Sequence, residues 1–324
     1  MGSLLPIRLC NSMKNIGLVI SLSRYGGGTY QWTINILHAL EDYRKIHPGL
    51  QVHIFYFAQS KDNEGVRKKF PDFYEHKAGK VVEFLSKVIK RIFIVMPFFL
   101  SLLRYIYPLN LTSARKKIDL MIFPGATFDA SLYTGKQIFM FTDIAHVFSP
   151  HFPEVSADGG LRERHLLFKY GIMRASRIVV DSNQLRLDIV KHYQANISKI
   201  SVFYQTIPQT LCFNDNCDEE CANFKNKLPE KYLFYPAQLW EHKNHKNLLL
   251  AMKILMKDNN DLFLILTGSK KEGSEGIFTL MTELGIQNNV KYFGYVSDKL
   301  IPLLYRNAQM LVMPTYFGPT NIPT

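Results

Sequence analysis

Three groups of residues have the types and spacing that chemistry needs, and each group follows a short apolar run. The first is Ser23 to Thr29, in which three consecutive glycines precede a helical pattern. Glycine lets backbone N–H groups approach an anion closely, and a helix N-terminus adds partial positive charge. The pattern predicts a phosphate or sugar cradle built from Gly26, Gly27 and Gly28. A tight turn without a ligand explains it equally well, because the full dinucleotide and P-loop spacings are missing.

The second group, Asp143 and His146, follows the apolar run Ile138 to Phe141. Catalytic side chains of parallel-sheet proteins concentrate on loops at the carboxyl ends of strands. A histidine in this place can donate a hydrogen bond to an oxygen that carries charge. We therefore predict catalytic roles for His146 and Asp143. A histidine that only lines its loop is the alternative.

The third group lies between Tyr235 and Asn247, where two lysines, two histidines and two asparagines follow an apolar run and precede a helical pattern. Lys243 is expected to point its ammonium group into the cleft near the helix N-terminus, which suits a diphosphate. An ordinary surface lysine is the alternative.

The elements that position these groups alternate between short apolar or β-branched runs and helical periodicities, which is typical of parallel α/β sheets. The predicted strands are 16–22, 52–57, 120–123, 138–141, 178–180, 200–204, 232–235, 263–266, 290–293 and 310–313. The predicted helices are 30–41, 161–175, 182–193, 244–257, 276–284 and 298–307.

This alternation occurs twice and predicts two Rossmann-like domains with parallel sheets that face each other across a cleft. Residues 13–208 form the first domain, 209–228 a linker rich in Asn, Asp, Glu and Cys, and 229–324 the second domain. The second domain shows only about four strands, fewer than the five or six of an average sheet, so we expect it to be truncated.

An insertion at about residues 80–110 breaks the α/β rhythm. From Val81 to Ile92, apolar residues recur at helical spacing with charged residues on the opposite face, and a largely apolar stretch follows. Residues 61–120 contain 13 Lys or Arg and 6 Asp or Glu, which favours an anionic membrane surface. The predicted membrane-facing residues are Lys87, Lys90, Arg91, Phe98 and Phe99. Packing of the apolar stripe against its own domain is the alternative.

The composition restricts the partners. With 47% hydrophobic residues the chain can form a large core, and 39 Lys or Arg against 27 Asp or Glu favour anionic partners. The four cysteines lack the paired spacing of zinc sites, so no metal site is predicted. No signature of a nucleic-acid-binding domain is present. No secretory signal is recognisable, so we expect a cytoplasmic protein, either free or peripheral on the inner face of the membrane.

Together, the motifs from residue 13 onward resemble glycosyltransferase family 4, whose members have the GT-B fold. The resemblance rests on the glycine loop and on the segments 143–146, 152–154, 175–182, 236–245, 266–268, 293–296 and 313–323.

The resemblance implies a retaining enzyme that needs no metal or other cofactor and moves a sugar from a nucleotide diphosphate to a glycan or lipid-linked acceptor of cell-envelope polysaccharide synthesis. Lys243 would hold the donor diphosphate, Gly268 would give the backbone room beside it, and Tyr295 and Val296 would border the base. The glycine-loop amides would face the phosphates or the acceptor, and His146 would contact the transferred sugar.

Two features depart from the family pattern. Gln238 stands where many members have an arginine, so one of the two cations beside the diphosphate would be missing or replaced by His242 or His245. The family's E-x7-E segment would begin immediately after residues 316–323, so we expect a fragment or early-terminated form that is weakly active or inactive. The alternative function is a pseudoenzyme that acts only as a binding protein; an RNA-binding protein is favoured by net charge alone.

Overall fold

The computed structural model describes residues 14–20, 28–56, 66, 68–156, 160–204, 219–297 and 299–317. The chain divides into two compact units. The first unit runs to residue 146 and continues over 158–205, and the second comprises 147–157 and 206–324. The segment 147–157, predicted as part of the first domain, thus clusters with the second unit.

The described part of the first unit contains a seven-stranded parallel sheet of order β3-β2-β1-β4-β5-β6-β7. Its strands are β1 Asn15–Ile20, β2 Gln51–Tyr56, β3 Tyr74–Lys77, β4 Leu120–Phe123, β5 Gln137–Met140, β6 Arg177–Val180 and β7 Ile200–Val202. Strands β1 and β4 are buried along nearly their whole length, which explains their continuous apolar sequences. The strand order reverses between β1 and β4, and ligands of such sheets bind at the carboxyl ends beside this point.

The helices are numbered along the chain. Up to residue 204 they are α1 Gly28–Ile46, α2 Lys80–Val95, α3 Leu100–Ile106, α4 Pro108–Arg115, α5 Phe128–Leu132, α6 Ala145–Phe148, α7 Pro153–Ser156, α8 Gly160–Arg174 and α9 Asn183–Tyr193. Helix α1 contributes Trp32, Leu37 and Leu40 to the core that it forms with β1 and β2.

The second unit contains a four-stranded parallel sheet of order β10-β9-β8-β11 in its described part. Its strands are β8 Tyr232–Pro236, β9 Phe263–Thr267, β10 Val290–Tyr292 and β11 Met310–Leu311. Its helices are α10 Glu219–Lys225, α11 His245–Leu255, α12 Glu275–Glu283 and α13 Ile301–Asn307, with a short 3₁₀ helix at Glu241–Lys243. Separate apolar clusters cover the sheet, one including Leu249 and Leu264 and the other Phe234 and Leu304.

All ten predicted strands are present, with ends that differ by a few residues. Strand β3 was not predicted, because its sequence Tyr-Glu-His-Lys has no apolar run and lies at the edge of the sheet. Helix α10 lies inside the predicted linker, where its buried Cys221 packs against the core of the second unit.

Helix α2 turns its most apolar stripe outward. Its buried face is formed by Ser86, Ile89 and Phe93. The remaining members of the predicted apolar stripe are exposed: Val81, Phe84, Leu85, Val88 and Ile92. Among the described residues, no helix combines the length and apolarity needed to cross a bilayer.

Candidate functional site

A cavity of about 500 Å³ opens at the carboxyl ends of β1, β4 and β5 in the first unit. We call it the first-unit cavity. Helices α1, α2 and α8 complete its walls with Trp32, Lys87, Lys90 and Arg164, among others. The strand ends contribute Ile20, residues 124–127 and residues 141–143.

A buried carboxylate anchors one wall of the first-unit cavity. Asp129 is 4% exposed and accepts hydrogen bonds from Tyr107 Oη and Thr127 Oγ1. Lys90 Nζ lies 3.1 Å from Asp129 Oδ1. Burial opposes ionisation of Asp129, but the charge of Lys90 and these hydrogen bonds hold its pKa below the usual value. Lys90 was predicted to face the membrane; its side chain instead lies against Asp129 on the cavity side of α2.

The first-unit cavity is lined by further side chains of positive and negative charge. Lys87 Nζ lies 2.9 Å from Glu83 Oε1, one helical turn away. Trp32 lines the cavity, and its buried Nε1–H has no hydrogen-bond acceptor among the described residues. A wall with both donors and acceptors can bind hydroxyl groups, each of which donates one hydrogen bond and accepts others.

The two predicted catalytic residues occupy different positions. Asp143 lines the cavity, and its Oδ1 accepts a hydrogen bond from the backbone N–H of Ala145, 2.9 Å away. His146 is buried, bonds Tyr193 Oη through Nε2, and stacks on Phe168, which lines the cavity. Burial, with the nearby charges of Arg164 and His165, lowers the pKa of His146 to about 4. His146 is therefore neutral at pH 7.

A second carboxylate lies near Asp143 at the same sheet edge. Asp181 follows β6 and is fully buried. Burial raises its pKa to about 6, and the neighbouring charge of Asp143 adds to the effect. Of the predicted glycine cradle, Gly26 and Gly27 lie outside the described residues, and Gly28 is the first residue of α1.

In the second unit, the loops after β8, β9 and β10 are joined at the carboxyl edge of the sheet. The N–H of Leu239 donates to Ser269 O at 3.1 Å, and the N–H of Gly268 donates to Gly294 O at 2.7 Å. Tyr292 Oη donates to Gly268 O at 2.7 Å. The structure thus brings together the loops that carry the predicted donor-binding residues Gln238, Gly268, Tyr295 and Val296.

Gly268 is required by geometry at this junction. Its φ is +109°, in the region that favours glycine. A Cβ atom at this position would lie 2.6 Å from Ala237 O and 2.7 Å from Gln238 N. The two loops can approach this closely only because residue 268 has no side chain.

Lys243 ends the 3₁₀ helix that follows β8, directly before α11. Its carbonyl accepts a hydrogen bond from Tyr235 Oη at 2.9 Å, which ties the turn to the end of β8. Asn244 has φ +58° and donates through Nδ2 to Pro314 O at 2.9 Å, which ties the turn to the segment after β11. The half-buried Lys243 is therefore held near the start of α11 by contacts on both sides.

Both histidines beside Lys243 are buried. His242 bonds Glu154 through Nδ1 and its backbone N–H, and stacks on Phe317. Burial opposes ionisation of Glu154, but hydrogen bonds from its own backbone and from His242 lower its pKa. His245 is 2% exposed, and burial, aided by the charges of Lys243 and His242, lowers its pKa to about 4. The histidines are thus poor replacements for the family arginine.

A lysine that sequence reasoning missed lies at the same edge. Lys271 Nζ lies 4.6 Å from the ring centre of Trp240, whose Nε1–H donates to Gln238 Oε1 at 2.9 Å. Lys271 and Gln238 are far apart in sequence and no motif links them. Asp129 and Arg164 were missed for the same reason.

Comparisons with known proteins agree with this fold. Residues 218–322 match the family described as "Glycosyl transferases group 1". The chain is 23% identical over 201 residues to the uncharacterized glycosyltransferase MJ1607 of Methanocaldococcus jannaschii, covering 59% of this chain and 50% of that protein. It is 22% identical over 157 residues to the O-antigen chain mannosyltransferase RfbU of Salmonella typhimurium, covering 48% and 40% of the two chains. The alignments thus span half or less of these curated relatives.

Solved structures share the fold. Sucrose-phosphate synthase of Thermosynechococcus elongatus superposes with a TM-score of 0.66 at 14% identity, over 95% of this chain and 77% of that one. Anabaena Alr3699/HepE, crystallised with UDP and glucose, gives 0.65 at 13% identity, over 94% and 75%. The chain therefore has the GT-B fold, as the resemblance predicted.

Proposed function

We propose that this chain, a GT-B glycosyltransferase by fold and family match, moves a sugar from a nucleotide diphosphate to a glycan or lipid-linked acceptor with retention of anomeric configuration. The observation that carries the proposal is the junction of three loops around Gly268, with Lys243 on the following turn. A lysine held on the turn beside this sheet edge suits a diphosphate, because an ammonium group near a helix N-terminus binds phosphate oxygens.

Lys243 would stabilise the leaving diphosphate. Breaking the bond between the sugar and the phosphate builds negative charge on the diphosphate, and a cation fixed in place before the reaction lowers the energy of that state. Lys271 is our candidate for the second cation, since its ammonium lies over the ring of Trp240, whose Nε1–H donates to Gln238. Tyr295 is exposed and Val296 is buried, so Tyr295 is the better candidate for contact with the base.

The acceptor would bind in the first-unit cavity, whose mixture of carboxylates, cations and hydroxyls suits a sugar. Asp143 would orient an acceptor hydroxyl at the carboxyl end of β5. Direct contact of His146 with the transferred sugar is not part of this proposal, because His146 is buried, bonds Tyr193 through Nε2 and is not among the residues that line the cavity. No metal or cofactor has a role in this proposal. The name of the relative RfbU supports cell-envelope polysaccharide as the acceptor class.

Calorimetric titration with UDP, GDP and ADP tests the donor site. We expect one nucleoside diphosphate to bind, and Lys243→Met to weaken it by about 10- to 100-fold, because a hydrogen bond to a charged group contributes about 1.5–3 kcal/mol. Lys246→Met is the matched control, since Lys246 is exposed on the first turn of α11. Salt-dependent RNA binding without diphosphate binding would contradict the proposal. Donor binding without transfer to any glycan would favour the binding-protein alternative.

The membrane contact would use the exposed apolar residues of the segment 81–106. They are Val81, Phe84, Leu85, Val88, Ile92, Val95, Met96, Phe98, Phe99, Leu102, Tyr105 and Ile106, and we call them the apolar surface. Patches of this extent are uncommon on proteins that stay in water, and the basic residues nearby favour an anionic bilayer.

Vesicle cosedimentation tests this contact. Phe98→Ser with Phe99→Ser should weaken binding to vesicles that contain phosphatidylglycerol by tenfold or more, because burying each ring contributes about 1.5–3 kcal/mol. Phe98 is 75% exposed, so thermal unfolding should change little. Leu187→Ser is the control, since Leu187 is exposed on α9, outside the apolar surface. Equal vesicle binding by the wild type and the double variant would exclude this surface as the contact.

A further inference from the structure

A second cavity in the first unit, of about 370 Å³, contains two arginines and no carboxylate. We call it the arginine cavity. Its lining residues are Ser101, Arg104, Tyr105, Asn110, Leu111, Thr134 and Arg174. Thr134 and Arg174 lie shortly before β5 and β6. The arginine cavity is therefore at the amino-end side of these strands, away from the first-unit cavity at their carboxyl ends.

Both guanidinium groups are fixed by backbone carbonyls. Arg104 donates through Nε and Nη2 to Ser131 O, at 3.1 and 3.0 Å. Arg174 donates through Nη2 to Thr134 O at 2.9 Å. Asn110 secures the surrounding chain: its Nδ2 donates to Arg104 O and Leu132 O, and its Oδ1 accepts from the N–H of Thr134. The two cations are thus held in defined positions.

The positive charge of this pair is not neutralised by the described part of the chain. Neither Arg104 nor Arg174 forms a salt bridge with a described carboxylate, and the buried Nε–H of Arg174 has no described acceptor. Burial, together with the charge of Arg174, lowers the pKa of Arg104 to about 10. Two fixed guanidinium groups that repel each other in a cavity with hydroxyl and amide groups suit an anion with several oxygens.

The surroundings indicate where that anion would come from. Tyr105 and Leu111 line the cavity and are largely exposed, and Leu102 and Ile106 are exposed on the same helix as Arg104. Tyr105, Leu102 and Ile106 belong to the apolar surface. An anion that binds beside apolar side chains directed to the outside matches a phosphate attached to acyl chains.

We propose that the arginine cavity binds the phosphate of an anionic lipid headgroup, between Arg104 and Arg174, where the apolar surface meets the membrane. The proposal rests on the proposed membrane contact but not on sugar transfer. Guanidinium groups bind phosphate through two parallel N–H donors, whereas lysine presents a point charge. Geometry as well as charge should therefore determine the affinity.

The test replaces the planar guanidinium groups with ammonium groups, so that the positive charge is kept and the two-donor geometry is lost. Arg104→Lys with Arg174→Lys should bind vesicles of phosphatidylcholine and phosphatidylglycerol at least about fivefold more weakly than the wild type. Arg115→Lys is the control: Arg115 is exposed on α4, outside the cavity, and its variant should bind as the wild type does. UDP titration of the same samples should be unchanged, which separates this result from a failure of the donor site. Thermal unfolding checks that each variant is folded, and Arg174→Lys alone is used if the double variant is not.

The source of the phosphate is tested with soluble competitors. Inorganic phosphate should displace the protein from vesicles only weakly. Glycerol 3-phosphate, which lacks acyl chains, should not bind in place of the vesicle lipid. Vesicle binding that is unchanged in the Arg→Lys variants would overturn the proposal, because attraction by diffuse charge would then suffice. Absence of vesicle binding by the wild type, or tight binding of inorganic phosphate alone, would also overturn it.

Discussion

Replacing Gly268 with alanine is expected to destabilise the second unit by about 3 kcal/mol or more and to abolish diphosphate binding. The added Cβ would lie 2.6 Å from Ala237 O, so the loops after β8 and β9 would have to separate. The positive φ of +109° adds backbone strain of about 1–3 kcal/mol, and the steric clash adds a similar amount. Separation of the loops would displace Gln238 and the turn that carries Lys243.

The measurement uses the two tryptophans of the chain, Trp32 in the first unit and Trp240 in the second. In a Trp32→Phe background, denaturant unfolding followed by Trp240 fluorescence reports on the second unit. Gly273→Ala is the matched control: its φ is also positive, at +78°, but a Cβ would meet no atom within 4 Å. It should cost about 1–2 kcal/mol and leave UDP binding intact. Equal losses in both variants would show that close approach of the loops is unimportant.

Lys90→Met is expected to destabilise the first unit by about 3–5 kcal/mol, the typical effect of removing one partner from a buried ion pair. Asp129 would then remain fully buried without its cation. Asp129→Asn in the Lys90→Met background should recover much of this loss, since the amide carries no charge. Lys87→Met, on the same helix, should cost less than about 1 kcal/mol, because the side chain of Lys87 in its pair with Glu83 is largely exposed.

The destabilisation caused by Lys90→Met should depend on pH in a defined direction. In the wild type the pKa of Asp129 is lowered, so its ionised form stabilises the fold above the unfolded-state value of 3.8, and this contribution is lost as the pH falls through the folded-state pKa. In Lys90→Met, burial should raise the pKa of Asp129. The deficit of the variant should therefore be largest at neutral pH and smaller near pH 4. Unfolding followed by Trp32 fluorescence in a Trp240→Phe background measures it; a deficit independent of pH would contradict a charge-based cause.

The sequence was sufficient for the features that are local. Strands such as Leu120–Phe123 are buried on both faces and appear as continuous apolar runs, and polar residues directly after such runs must lie at the carboxyl edge of the sheet. This reasoning anticipated that Gln238 lies on a loop at this edge, whereas Gly268 and Tyr295 were predicted there only through the family resemblance. The family resemblance also singled out Gly268, and this residue occupies a position with positive φ.

Features that depend on distant residues were not predictable. Asp129 meets Lys90, and Arg104 lies near Arg174, only because helices far apart in sequence pack together. The orientation of α2 was also open, since its apolar stripe would suit either a core or a surface. The structure buries the face with Ser86 and Phe93 and leaves Phe84 and Val88 exposed, which periodicity alone could not indicate.

The central claim is that the carboxyl edge of the second sheet binds the diphosphate of a sugar nucleotide. A crystal structure of the chain with bound UDP-sugar, or with the nucleoside diphosphate that binds in calorimetry, tests it most directly. We predict that a phosphate oxygen lies within hydrogen-bond distance of Lys243 Nζ and that the diphosphate lies beside Gly268. A diphosphate bound away from both residues would contradict the account.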